Sequence, residues 1–85
     1  MRVIHESRVF DYAIADEVVV RLERASAFDV IAGVLVPATC LPAWTIADIT
    51  ARVERGGRHS YGIRFRHHDA VCIALVAEEF IEGMA

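Results

Sequence analysis

The sequence predicts a mainly β domain: a small barrel or strongly bent antiparallel sheet with a short C-terminal helical element. Three observations carry this. Residues 16–24 and 44–66 alternate apolar and polar side chains with period two. Valine, isoleucine and threonine concentrate in those stretches, where branched side chains fit a pleated surface. Within the second of these stretches sits Arg55-Gly56-Gly57-Arg58, whose glycines supply the positive φ that a tight hairpin turn demands. The chain has 85 residues, 55% of them hydrophobic and 25% charged. That suits one domain, 1–85, and is too apolar for a disordered segment.

The first strand is expected over residues 16–24, with Val18, Val20 and Leu22 on one face and Glu17, Arg21 and Glu23 on the other. Residues 28–36 are apolar on both faces apart from Asp29, which suggests one strand buried on both sides or lying at a protein contact. Pro37 ends it, and 37–43 reads as a loop or edge crossing. Over 44–54, Thr45, Ala47, Ile49, Ala51 and Val53 alternate with Ile46, Asp48, Thr50, Arg52 and Glu54. The returning strand sets Tyr61, Ile63 and Phe65 against Gly62, Arg64 and Arg66. Residues 69–84 fit either of two patterns. One is a helix burying Ile73, Val76, Phe80 and Ile81, capped by Asp69 and Gly83. The other is a strand over 70–76 followed by a single helical turn.

A domain this small buries only about two-thirds of its unfolded surface, so dense packing, a staple or a partner must supply the remaining stability. Cys40 and Cys72 are the only cysteines and form no CxxC unit; they read chiefly as small buried thiols, with a disulfide between them as the rarer option. Self-association is therefore expected, with Val30, Ile31, Val34 and Leu35 as the apolar contact.

All nine basic residues are arginines. Five of them, Arg52, Arg55, Arg58, Arg64 and Arg66, fall within 52–68 against the single acid Glu54, while the whole chain carries -3. Arg64 and Arg66 share the face opposite Tyr61 and Phe65, with Arg52 expected beside them. Such a surface suits phosphate or an acidic partner, including the chain's own Glu78, Glu79 and Glu82, or nucleic-acid backbone; a solvated strand face is the plainer reading. His59, His67, His68, Asp69 and Cys72 are metal-capable but lack the spacing of a preformed site, so neither a metal nor a cofactor is expected. Ser60 or Cys72 beside histidines does not make a catalytic triad, and no catalytic residue is assigned. Trp44, Tyr61, Phe65 and Phe80 read as core before they read as a ligand groove.

The order of elements resembles an SH3-like barrel. Residues 12–18 are similar to its lead-in and first strand, Tyr61-Gly62-Ile63-Arg64-Phe65 to its central Y-x-V-x-F strand, and residues 76–82 to its closing strand and helical turn. Residues 24–43 form an insertion relative to that plan. Trp44 and the run 71–77 also resemble the core tryptophan and pore strand of the plasmid-encoded, trimethoprim-resistant dihydrofolate reductases, small tetrameric barrels of this type. That family's pore strand carries Val-Gln-Ile-Tyr. Here Val71 and Ile73 match, but Cys72 and Ala74 replace the ligand-binding glutamine and tyrosine, and the chain has no lysine. The resemblance implies the architecture and argues against the activity.

No apolar run approaches the ~20 residues of a membrane span, and residues 1–8 lack the apolar stretch of a secretory signal. The expectation is a cytoplasmic, self-associating binding module that meets no membrane. The alternative is a small oligomeric enzyme whose active site forms between subunits.

Overall fold

The computed structural model describes residues 10–85. The opening segment, 1–8, on which the secretory-signal expectation falls, lies outside them. Seven strands follow in chain order: β1 Glu17–Arg21, β2 Ala27–Ile31, β3 Val34–Pro37, β4 Trp44–Arg55, β5 Arg58–His67, β6 Ala70–Ala77 and β7 Ile81–Met84. A single 3-10 turn, Glu78–Phe80, separates the last two and is the short C-terminal helical element. Every pairing is antiparallel, in the order β3-β2-β6-β5-β4-β1-β7. With β3 and β7 as margins the sheet is not closed into a barrel. The bent-sheet form is the one found.

Three two-residue turns set the register, each with positive φ at both positions: Ala32-Gly33 (52° and 79°), Gly56-Gly57 (59° and 80°) and His68-Asp69 (48° and 64°). Such turns match the right-handed twist of the strands they join. The glycine pair closes the expected hairpin, with Arg55 opposite Arg58. Ala32-Gly33 corrects the single strand expected over 28–36: the chain reverses there, and the run becomes the β2–β3 hairpin with Ile31 opposite Val34. His68-Asp69 corrects the helical reading of 69–84. Asp69 occupies a turn rather than an N-cap, and Gly83 lies within β7 rather than at a C-cap.

The core lies on one face. Val18 and Val20 of β1, Ala47 and Ile49 of β4, Tyr61, Ile63 and Phe65 of β5, and Cys72, Ala74 and Val76 of β6 are all buried there. Removing that apolar surface from water at roughly 25 cal/mol per Å² is the main force closing the sheet around it. Trp44 does not join them. It is 52% exposed at the first position of β4, opposite Arg21, so the core reading fails for this residue. Cys40 is exposed and Cys72 buried, and both thiols are free.

Residue Thr50 is an extra residue in the ladder: Ile49 pairs with Ile63 but Ala51 pairs with Gly62. A one-residue slip moves every following side chain to the other face of the strand. Arg52 therefore stands opposite Tyr61 instead of beside Arg64, and its guanidinium lies 5.1 Å above the Phe10 ring. The close approach also explains Gly62, where a Cβ would meet Ala51 Cβ and Thr50 Oγ1 at 3.1 Å.

Candidate functional site

The outer face of the sheet is graded. Register places Leu35, Val30, Val71 and Arg66 in one cross-strand row, and Phe28, Ile73, Arg64 and Asp48 in the next. Apolar side chains thus cover β3, β2 and β6, arginines follow on β5, and the acids Asp48 and Glu17 lie beyond. An open groove of about 540 Å³ runs over the apolar part, lined by Ser26, Phe28, Thr50, Gly62, Ile73 and Leu75 among others. Leu75 is 61% exposed beside it. A smaller groove of about 250 Å³ holds Arg64 and Arg66 with Glu17, Ile46, Asp48 and Val71.

The five arginines do not form one surface. Arg64 and Arg66 project from the outer face, and Arg64 Nη2 lies 3.5 Å from Asp48 Oδ2, both half-exposed. Arg55 and Arg58 face one another at the hairpin tip, where like charges repel. Arg52 serves the opposite face. Among the described residues, no ion pair joins Glu78, Glu79 or Glu82 to a hairpin arginine. Arg21 takes one of these acids instead: its Nε lies 2.7 Å from Glu82 Oε2, while its Nη2 donates to the backbone carbonyl of Glu79 at 2.9 Å.

The β2–β3 hairpin is the most open element. All four residues of β3 are exposed, Val34 by 60% and Leu35 by 54%, and Ile31 by 51%. Among the described residues no strand pairs with the far edge of β3. In a two-residue hairpin Ile31 and Val34 exchange both hydrogen bonds, so Leu35 turns its N–H and C=O away from β2. Val30, also named as a contact from the sequence, is half-buried and shares the outer face with Leu35.

Two polar clusters lie on the inner face. Tyr61 donates its hydroxyl proton to Glu78 Oε2 at 2.6 Å and accepts from the N–H groups of Asp11 and Tyr12 at 3.1 and 3.3 Å. His59 Nδ1 lies 3.7 Å from the same carboxylate oxygen and stacks on Phe10. Burial, then the Glu78 carboxylate, raises the Tyr61 hydroxyl from 10.0 to about 12, so it stays protonated and ties segment 10–12 to the sheet.

The second cluster joins Asp29 of β2, His67 of β5 and Cys72 of β6. His67 Nδ1–H donates to Asp29 Oδ1 at 3.0 Å, and its Nε2 is buried with no partner. The His68 ring stacks on it at 4.1 Å. Burial, then the charge of Asp29, raises the Cys72 thiol from 9.0 to about 11, which makes it a poor nucleophile. The sequence pointed to His67 and Cys72 but not to Asp29. Its signal was being the lone charge in an apolar run. Comparison with family models, curated proteins and solved structures finds no match for this chain.

Proposed function

We propose that the chain is a self-associating binding module that pairs with a second copy of itself through β3. The observation that carries this is an apolar strand edge with which no strand pairs among the described residues, the feature that natural sheets ordinarily blunt with charge or cover. The occupant is written in the strand. Val34-Leu35-Val36 reads identically in both directions, so antiparallel pairing centred on Leu35 sets Leu35 against Leu35 and Val34 against Val36 of the second copy. The outward N–H and C=O of Leu35 exchange bonds with their counterparts, and Pro37, two residues on, needs only to accept from Gly33 N–H of the second copy. Such a two-fold contact closes at the dimer.

Pairing also joins the outer faces into one apolar strip, Leu35, Val30 and Val71 from each copy, flanked on both sides by Arg64 and Arg66. An acidic or phosphate-bearing partner is the ligand such a strip would take. Light scattering across a gel-filtration peak tests the pairing. The proposal expects about twice the 9.4 kDa chain mass and a return to the single mass in Leu35→Lys. A single-chain mass at high micromolar concentration overturns it.

A further inference from the structure

We propose that Asp29, His67 and Cys72 form a site for a divalent transition-metal cation, zinc being the best match to the donor set. One ligand atom from each lies within 4.8 Å of the other two. Imidazole, thiolate and carboxylate are the ligands zinc takes, at about 2.0–2.3 Å from the metal. In a tetrahedral arrangement such bonds set ligand atoms roughly 3.3–3.8 Å apart, so side-chain adjustments of about an ångström close the site around an ion.

Two features bear on the site. His67 is 5% exposed, with Nδ1 held by Asp29 and Nε2 buried without a partner; turning the ring over brings Nε2 to the side Asp29 occupies, where an ion would satisfy a nitrogen that is otherwise orphaned. The three residues also come from three different strands that the sheet sets side by side, with Asp29 opposite Cys72 across β2–β6 and Cys72 opposite Phe65, two residues before His67, across β5–β6. An ion there fastens β2, which carries the open β3 margin, to the centre of the sheet. That is the kind of staple an 85-residue domain lacking disulfides otherwise misses. On binding, Cys72 gives up its proton to solvent and its sulfur bonds the metal as thiolate; a proton on the ligating histidine nitrogen leaves likewise. Three protein ligands leave a fourth position for water.

The probe is cobalt(II) chloride added to the chelator-treated full chain. The expected result is one equivalent bound, with a thiolate-to-cobalt charge-transfer band and the intense visible bands of a tetrahedral ion. The charge-transfer band persists in Cys40→Ser and vanishes in Cys72→Ser. Asp29→Asn and His67→Gln weaken binding by at least about tenfold. Zinc at about a hundred times its Kd raises the wild-type Tm by at least ~10 °C. In case a variant fails to fold, the wild type alone decides: the His67 ring proton signals shift with zinc and saturate at one equivalent. Absence of a thiolate band at millimolar cobalt, a band lost with Cys40 instead of Cys72, or His67 signals unmoved by zinc overturns the site.

Discussion

Two of the hairpins of this sheet are built alike and end differently. β4–β5 and β2–β3 both turn through two residues with positive φ and both carry valine and isoleucine. Yet Tyr61 and Ile63 are fully buried while every residue of β3 is exposed. Composition does not separate them; position does. β5 has a strand on each side and the core beneath it, whereas β3, among the described residues, has β2 on one side and no strand on the other. The same apolar side chain stabilises the fold in one place and is left for association in the other.

The largest expected difference between them is thermodynamic. Ile63→Ala should cost about 2–5 kcal/mol by chemical denaturation, since a buried methyl-bearing group leaves a cavity. Leu35→Ala should stay within roughly 0.5 kcal/mol when measured under dissociating, dilute conditions. A comparable loss at both positions would erase the distinction.

Alkaline titration probes the buried side next. Both Cys72 and Tyr61 have raised values in the folded chain, so the neutral form is the one the fold favours. Their contribution is complete below about pH 9 and is lost as pH rises, through 9.0 to about 11 for Cys72 and 10.0 to about 12 for Tyr61. Cys72→Ala should flatten the lower part of that decline in denaturation midpoints, and Tyr61→Phe the upper part. A stability that stays level from pH 9 to 12 would contradict the burial of both groups.

Gly62→Ala tests the bulge that gives the central hairpin its curvature. The new methyl group meets Ala51 and Thr50 at 3.1 Å, and a loss of about 1–3 kcal/mol is expected in thermal or denaturant unfolding. The smallest effect belongs to the open hairpin. Ala32 sits at φ 52°, where alanine is strained by roughly 1–2 kcal/mol and asparagine less so. Ala32→Asn should therefore raise stability by up to about 1 kcal/mol. A destabilised variant would show that the turn is not of the assigned kind.

How far these features could be read from sequence follows the range of the interactions. The Gly56-Gly57 turn and the alternation over Tyr61, Ile63 and Phe65 are local, and both were legible. Ala32-Gly33 was not, because an alanine inside a continuous apolar run gives no turn signal of its own; only Gly33 hinted at it. Neither was the extra residue at Thr50, since nothing marks a bulge in an otherwise regular alternation, and it carried Arg52 to the other face. Trp44 was expected inside on size alone, whereas its place at the start of a strand leaves it half out. The Asp29, His67 and Cys72 cluster depends on β2 docking along β6, a pairing between residues more than forty positions apart. No spacing along the chain announces it.

Hydrogen exchange at the Leu35 amide, followed by NMR as a function of protein concentration, examines the pairing of β3 most directly. Exchange near the free-peptide rate is expected in dilute solution, with protection appearing as concentration rises and tracking the mass seen by light scattering. A Leu35 amide that exchanges freely at every concentration, in a sample that is nonetheless associated, would place the contact elsewhere and overturn pairing through β3.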